Sequence, residues 1–186
     1  YIVACQNTAE ISNLKENSND EEFAGGIVAI LETATIENSK NTGNVIGSTN
    51  IGGIAGESKG TITQCRNDGQ VSKVAGVICK TVNLGGLVGK NGEAARLSNS
   101  KNYGNVNSET DTLVNLGGIC GILYNNSIVE LCENNGAISG SGKEIIPNED
   151  TNTNCASCTS NNGGSASTDD FGQLNIGIIY GKYQEI

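Results

Sequence analysis

Apolar and polar residues alternate over short stretches of this chain, and glycine and asparagine separate the stretches. In Thr61-Ile62-Thr63-Gln64-Cys65 the period is two, in sequence rich in Thr, Ile and Val. A period of two in β-branched sequence is typical of strands, whereas a helix has a period of about 3.6. The apolar run from Ile27 to Leu31 has five residues, far short of the ~20 that a membrane-spanning helix needs. The pattern predicts short strands and no membrane insertion of this segment.

The strands recur within a repeat that carries two signatures. The first is a glycine pair between apolar residues, which reads AGGIVA (24–29), IGGIAG (51–56), LGGLVG (84–89), LGGICG (116–121) and, in a worn copy, IGIIYG (176–181). The second starts 12 to 14 residues after the glycine pair and reads SKNTGNV (39–45), CRNDGQV (65–71), SKNYGNV (100–106) and CENNGAI (132–138), with the variant CQNTAEI at 5–11. Tandem repetition at this period is the signature of a stacked repeat architecture.

Short strands separated by Gly and Asn turns, recurring every ~30 residues, describe the coils of a parallel β-solenoid. Each coil stacks on the previous one at ~4.8 Å, the spacing of neighbouring strands. We therefore expect an all-β fold, a parallel β-solenoid (β-helix) of about five coils of ~30 residues. Residues 1–186 are expected to form a single segment of it.

Equivalent residues lie above one another in such a stack, so a special turn conformation must recur in every coil. A corner with positive φ needs glycine each time, and an Asn two residues earlier can bond the turn and the same Asn of the next coil. The predicted turn ladder consists of Asn41, Asn67, Asn102, Asn134, Gly43, Gly69, Gly104 and Gly136. The glycine pair between Leu84 and Leu87 breaks the period of two, which predicts a close backbone approach.

The repeat is interrupted between Ser139 and Gln173. This segment is rich in Ser, Asn, Asp, Gly and Thr and contains the single proline, Pro147. Such a composition cannot bury enough apolar area to form a core of its own. It predicts a long polar loop insertion over 139–173, projecting from the stack, and the chain rejoins the stack at Leu174. Long loops on rigid scaffolds either carry function or are tolerated insertions, and both interpretations stay open.

The seven cysteines fall into two groups. Five lie in strand contexts and are expected to be free, buried residues: Cys5, Cys65, Cys79, Cys120 and Cys132. Three of these share one repeat position but alternate with serines, which places them ~10 Å apart, beyond disulfide reach. Cys155 and Cys158 form a C-x-x-C in the polar insertion, which favours a loop-closing disulfide. Free thiols and a metal or redox site are the alternatives, although zinc would need two more ligands and the chain has no His.

The charge of the chain limits its partners and its chemistry. Twenty acidic residues against eleven basic ones give a net charge of −9 without a basic cluster, so nucleic acid is not an expected partner. Acidic residues occur together in polar loops at Glu21-Glu22, Glu109 with Asp111, Glu149-Asp150 and Asp169-Asp170. None has the spacing of a dedicated calcium loop, so we expect no cofactor, and weak Ca²⁺ binding stays open. Acidic residues recur at no repeat position, unlike a carboxylate-lined glycosidase cleft, so we expect no enzyme.

The glycine-pair phrase followed by apolar-x-x-[CS]-x-N-x-G-x-[VI] resembles the GLUG motif repeats of bacterial surface proteins and of secreted immunoglobulin A peptidases. The resemblance covers roughly residues 2–140. It implies an extracellular or cell-surface, β-rich repeat array. The H-E-x-x-H zinc motif of those peptidases is absent from this sequence.

Together these features predict a non-catalytic extracellular repeat segment, a stiff spacer and an adhesion or presentation scaffold of a larger surface protein or filament. The variant signature at 5–11 has no glycine pair before it, so we expect the chain to begin within a repeat. The expected partners are flanking repeats or domains of the same protein, or copies joined by end-to-end self-assembly. Two alternatives stay open: a module that binds a host glycan or protein, and a substrate-positioning region of a large secreted peptidase.

Overall fold

The computed structural model describes residues 1–13, 21–74, 76–77, 79–108, 113–124, 126–147, 155–160, 164–177 and 180–184. Within these ranges, side chains are described outside 141–156 and 161–186. The described residues contain strands and turns and no helix.

The strands are short, mostly two to five residues, and follow one another closely along the chain. In the first half they are β1 (Ile2–Val3), β2 (Gln6–Asn7), β3 (Ile11–Ser12), β4 (Phe23–Gly25), β5 (Val28–Leu31), β6 (Thr35–Glu37), β7 (Lys40–Asn41), β8 (Val45–Gly47), β9 (Asn50–Gly52), β10 (Ala55–Ser58), β11 (Thr61–Thr63), β12 (Arg66–Asn67), β13 (Val71–Lys73) and β14 (Thr81–Gly85). In the second half they are β15 (Val88–Asn91), β16 (Arg96–Ser98), β17 (Lys101–Asn102), β18 (Val106–Ser108), β19 (Leu113–Gly117), β20 (Cys120–Tyr124), β21 (Ile128–Glu130), β22 (Glu133–Asn134), β23 (Ile138–Pro147), β24 (Cys155–Ala156), β25 (Thr159–Ser160), β26 (Gly164–Gly177) and β27 (Tyr180–Gln184).

These strands form four parallel sheets. The first sheet has the order β1-β6-β11-β16-β21-β24, and the second has the order β2-β7-β12-β17-β22-β25. The third runs β3-β8-β13-β18-β23-β26-β19-β14-β9-β4, and the fourth runs β27-β20-β15-β10-β5. Neighbours in a sheet come from successive repeats, and their pairing is parallel. The all-β, parallel-strand part of the prediction is therefore confirmed.

The register of the sheets follows the sequence repeat, so like residues stack on like residues. In the first sheet Ile36 pairs with Ile62, and Ile62 pairs with Leu97. Stacking collects the inward-facing side chains into two hydrophobic clusters. The first cluster consists of Leu31, Ile36, Ile54, Ala55, Ile62, Cys65, Leu87, Val88, Leu97, Ile119, Cys120, Leu123, Val129 and Cys132. The second consists of Ala24, Val45, Ile51, Val71, Val77, Cys79, Val82, Leu84, Val106, Val114, Leu116 and Ile138.

Residues 139–173 differ from the predicted projecting loop, because β23 to β26 place much of this segment in the sheets. β24 pairs with β21 in the first sheet, β25 pairs with β22 in the second, and β26 pairs with both β23 and β19 in the third. The loop prediction is corrected for these strands. Parallel pairing uses main-chain groups that every residue except proline supplies, so an unpaired strand edge also accepts polar sequence.

Positive φ angles also recur, but at a position that differs from the predicted glycine. Among the described residues Gly76 is the glycine with positive φ, so the positive-φ explanation for Gly43, Gly69, Gly104 and Gly136 is wrong. The left-handed conformation falls instead on the residue just before the Cys/Ser position, with φ between 48° and 56°. The residues at this corner between the first and second sheets are Ala4, Asn38, Gln64, Asn99, Leu131 and Ser157.

Leu131 offers a direct test of this corner, because its φ is 53° and its side chain is 54% exposed. A left-handed conformation costs an L-residue roughly 1–2 kcal/mol, and asparagine tolerates it best after glycine. Leu131→Asn is therefore expected to raise the free energy of unfolding in urea by about 1 kcal/mol. The reverse change, Asn99→Leu, serves as the control and is expected to lower it by a similar amount. A Leu131→Asn variant no more stable than the parent would contradict this description of the corner.

A buried polar pair lies in the fourth sheet, where Ser58 is in register with Asn91. The flanking residues of this column, Leu31 and Leu123, are apolar. The Asn91 side chain is fully buried, and neither its Oδ1 nor its Nδ2 has a hydrogen-bond partner among the described residues. A buried amide without partners costs about 1–3 kcal/mol.

Asn91→Leu is therefore expected to raise the free energy of unfolding by about 1–2 kcal/mol, measured by urea denaturation. The matched control is Asn83→Leu, since Asn83 is also buried but its amide is hydrogen-bonded on both sides. That control should lose stability. Equal losses in both variants would show that the Asn91 amide is satisfied in solution.

Candidate functional site

A column of asparagine side chains connects the successive repeats of the second sheet. In this first asparagine ladder the Nδ2 of each residue donates to the Oδ1 of the next at 2.8–2.9 Å. Its members are Asn7, Asn41, Asn67, Asn102 and Asn134. The column ends on Ser160, whose Oγ accepts from Asn134 at 3.3 Å. One chain of amide hydrogen bonds thus links the repeats from Asn7 to Ser160.

Each amide of the first asparagine ladder also closes its own turn. In Asn67, for example, Nδ2 donates to the Gly69 carbonyl at 2.8 Å, and Oδ1 accepts from the Gly69 N–H at 3.2 Å. The side chains of Asn41, Asn67, Asn102 and Asn134 are fully buried. A buried amide can be accommodated only when its polar atoms are bonded, and here the turn and the neighbouring repeats supply the partners.

The glycine of each Asn-x-Gly lies where a side chain has no room. A Cβ on Gly104 would lie 1.8 Å from the carbonyl oxygen of Gly69 in the preceding repeat. At Gly69 and Gly136 the corresponding distance to the preceding repeat is 1.9 Å. The physical reason for glycine is therefore the close stacking of turns, in place of the predicted positive φ.

The glycine pairs meet the first asparagine ladder from the opposite side. A Cβ on Gly53, the second glycine of its pair, would lie 2.2 Å from the Asn67 side-chain amide carbon. Within residues 65–71, Cys65 belongs to the first hydrophobic cluster and Val71 to the second, and Asn67 lies between them in the sequence. The contact of Gly53 with Asn67 therefore separates the two clusters.

The remaining glycines of the phrase bring two backbones together. A Cβ on Gly52 would lie 2.1 Å from the Ala55 carbonyl oxygen and 2.7 Å from the Gly89 nitrogen. A Cβ on Gly89 would lie 2.5 Å from the nitrogen of Ile51. The third and fourth sheets thus touch through main chain at β9 and β15, which explains why the phrase carries a third glycine three residues after the pair.

A second asparagine ladder, which sequence reasoning missed, follows the third sheet. Asn83 Nδ2 donates to Asn50 Oδ1 at 2.7 Å, and Asn115 Nδ2 donates to Asn83 Oδ1 at 2.6 Å. Its donors point towards the preceding repeat, whereas those of the first ladder point towards the following one. The signal was present in the sequence, because each of these asparagines immediately precedes the apolar-Gly-Gly phrase.

Most thiols of the described part are buried. Cys65, Cys79, Cys120 and Cys132 are buried and lie outside any disulfide, whereas Cys5, expected to be buried, is exposed at the end of its column. Burial raises the pKa of the Cys132 thiol from 9.0 to about 11, and burial also raises the pKa of Cys65 and Cys120. Cys158 is disulfide-bonded. The side chain of Cys155, its predicted partner, lies outside the described residues.

These environments predict which thiol reacts. Since the thiolate is the nucleophile, Ellman's reagent at pH 8 should label Cys5 rapidly and the four buried thiols only after unfolding in urea. Cys5→Ser should therefore remove the fast phase, and a fast phase that persists in this variant would contradict the assignment. Because the folded pKa of Cys132 is raised, its contribution to the free energy of unfolding is intact below pH 9.0 and is lost as the pH rises towards about 11.

The acidic residues selected from the sequence do not come together in the described part of the chain. Glu21 pairs with Lys90, and its neighbour Glu22 is buried. The side chains of Glu109, Asp111, Glu149, Asp150, Asp169 and Asp170 lie outside the described residues. Within the described part, no group of three or more His, Cys, Asp or Glu side chains is placed to hold a metal ion.

Comparisons with protein-family models, with curated proteins and with solved structures found no match. The resemblance to GLUG repeats therefore stays a prediction. None of the described segments forms a helix that is long and apolar enough to cross a membrane.

Proposed function

We propose that the four sheets are the sides of a closed parallel β-solenoid of about five coils of ~30 residues. We further propose that the chain is a non-catalytic, extracellular repeat segment without a cofactor. It acts as a stiff spacer and a presentation scaffold of a larger surface protein or filament. The extracellular placement rests on the GLUG resemblance, and the mechanical role rests on the asparagine ladders.

The observation that carries the mechanical proposal is the continuity of the first asparagine ladder. A hinge between two repeats would break an Asn–Asn bond such as that of Asn41 with Asn67, at 2.8 Å, inside the core. A buried amide left unpaired costs about 1–3 kcal/mol, on top of the sheet bonds that the same hinge breaks. Stability in such arrays is carried by contacts between neighbouring repeats, so each interface resists bending independently.

The presenting surface in this proposal is the outer face of the second sheet. Its outward column pairs Lys40 with Arg66, and Arg66 with Lys101. The two lysines form ion pairs with carboxylates: Lys40 lies 2.9 Å from Asp68, and Lys101 lies 2.7 Å from Glu133. A regular face of this kind suits adhesion to a host protein or glycan, while flanking repeats or further copies continue the sheets.

The stiffness of the spacer can be tested with the protein as it stands. Spin labels on the free, exposed Cys5 and on an introduced Ile128→Cys, which is 46% exposed, span four strand steps of the first and second sheets. Electron–electron distance measurement should give one narrow distribution near ~20 Å, set by the strand spacing. The distribution should be unchanged in high salt. A broad distribution, or several distances, would contradict a stiff spacer.

A further inference from the structure

A cleft of about 520 Å³ lies on the outer side of the fourth sheet. It is lined by Glu21, Glu57, Lys59, Lys90, Gly92, Glu93 and Tyr124. Its floor is a cross-strand pair, because Glu57 of β10 is in register with Lys90 of β15. The volume falls in the range of small-molecule sites, ~300–1,000 Å³.

The charged groups at the floor of this cleft are held in place. The Lys90 ammonium lies 3.0 Å from the Glu21 carboxylate and 3.5 Å from Glu57. The Lys90 side chain is 16% exposed and that of Glu57 is 8% exposed, whereas both partners of the Lys59–Glu32 pair are 45% exposed or more. The Glu57–Lys90 pair is thus an ion pair largely removed from water. Removing one charge of a largely buried ion pair lowers stability, because the other charge is left buried without a partner.

The floor therefore disfavours a charged ligand, because the Lys90 ammonium and the carboxylates of Glu57 and Glu21 already pair with one another. An anion would compete with Glu57 and Glu21 for Lys90, and a cation would compete with Lys90 for the same carboxylates. A hydroxyl group both donates and accepts, so it can bond the free carboxylate lone pairs and the ammonium without breaking the pair. The chemistry of the floor thus suits several neighbouring hydroxyls.

The walls of the cleft add two further groups, an aromatic ring and an exposed carboxylate. Tyr124 supplies a half-buried aromatic ring with a polar tip, suited to a ligand with an apolar face and a polar edge. Glu93 is exposed at the rim and has no hydrogen-bond or ion-pair partner among the described residues. A sugar ring presents C–H groups on one face and hydroxyls around its edge, so it matches the ring, the rim and the floor together.

We propose that this cleft binds an uncharged saccharide, with a sugar ring against Tyr124 and its hydroxyls bonded to Glu57, Lys90 and Glu93. The site lies apart from the asparagine ladders and adds a specific ligand to the scaffold role. Sugar binding in this cleft does not depend on the stiffness of the repeat array. The spin-label measurement can therefore contradict the spacer role while the titration supports the sugar site, and the reverse.

The test is a titration of the ¹⁵N-labelled protein with maltotriose, cellotriose and N,N′,N″-triacetylchitotriose, followed through the amide resonances of Gly92 and Glu93. We expect saturable shifts for at least one of the three, with a dissociation constant of about 1 mM or tighter. Tyr124→Leu should weaken binding about tenfold, since loss of an aromatic contact of about 1.4 kcal/mol corresponds to that factor. Glu93→Gln should weaken it several-fold. This second variant changes only an exposed rim carboxylate, so the proposal stays testable even if Tyr124→Leu fails to fold.

The matched control is Tyr103→Leu, because Tyr103 is an exposed ring that packs on Arg66 on the outer face of the second sheet. Unchanged binding in this variant, with loss in Tyr124→Leu or Glu93→Gln, supports the proposal. Three outcomes overturn it: no saturable shift with any of the three sugars, tighter binding of trigalacturonate or of the chitosan trimer, and equal loss of binding in Tyr103→Leu.

Discussion

Gly104→Ala is expected to lower the free energy of unfolding by about 4 kcal/mol or more, or to prevent folding. The added Cβ would lie 1.8 Å from the carbonyl oxygen of Gly69, and a backbone carbonyl cannot move aside as a flexible side chain can. The repeats on either side would have to separate locally, which would also lengthen the Asn67–Asn102 bond, now 2.9 Å. Urea denaturation followed by far-ultraviolet circular dichroism measures the loss.

The control for Gly104→Ala is Gly76→Ala, because the two glycines differ in the reason for which they are needed. Gly76 has a φ of 76°, and apart from its chain neighbours no described residue has an atom within 4 Å of the place that an added Cβ would take. Alanine there costs only backbone strain, about 1 kcal/mol. If Gly104→Ala cost no more than Gly76→Ala, the stacking explanation for the Asn-x-Gly glycines would be wrong.

Asn67→Ala is expected to lower the free energy of unfolding by about 3 kcal/mol. The change removes the bonds of Asn67 to Asn41 and to Asn102, at 2.8 and 2.9 Å, and both bonds to Gly69. It also leaves a space beside Gly53, where a side chain had filled the boundary between the two hydrophobic clusters. The loss is measured by the same urea denaturation.

Asn7→Ala provides the comparison within the same ladder. Asn7 makes the same turn bonds to Ala9 and one ladder bond to Asn41, but its turn is exposed. Water can replace these bonds at the exposed end, so a loss below about 1 kcal/mol is expected. Similar losses for Asn7→Ala and Asn67→Ala would mean that burial of the ladder does not matter for stability.

The sequence was most informative where a polar residue recurs in a fixed phrase. The first asparagine ladder was predicted because Asn41, Asn67 and Asn102 stand at the same place in successive phrases, and stacking then brings them together. The second ladder was missed although Asn50, Asn83 and Asn115 recur equally well. Asn83 and Asn115 each lie between two apolar residues of a strand, where an asparagine is expected to face outward unless its burial is known.

The conformational reason for the glycines could not be predicted from the sequence. Positive φ and the absence of room for a Cβ both select glycine, and only the distance between stacked turns tells them apart. The left-handed residue is the one before the Cys/Ser position, and Gln64 and Leu131 there carry no sign of it in their residue type. Such a conformation is imposed by the packing of the neighbouring repeats rather than by local preference.

The cleft on the fourth sheet could not be predicted from the sequence either. Its lining joins Glu21 to Lys90 and Tyr124, residues of different repeats that share no repeat position. Recurrence in the sequence reveals residues that stack on residues of the same type, whereas Lys90 stacks on Glu57 and Ile122. Residues that depart from the repeat can be recognised as one site only when the register of the sheets brings them close together.

Hydrogen exchange of the side-chain amides tests directly whether the first asparagine ladder is continuous and buried in solution. In the structure the carboxamides of Asn41, Asn67 and Asn102 form one buried, continuous hydrogen-bonded column. Measured by ¹⁵N nuclear magnetic resonance, their Nδ2 protons should exchange about a thousandfold more slowly than those of the exposed Asn99. Exchange at the rate of Asn99 would contradict the ladder and the stiff array built on it.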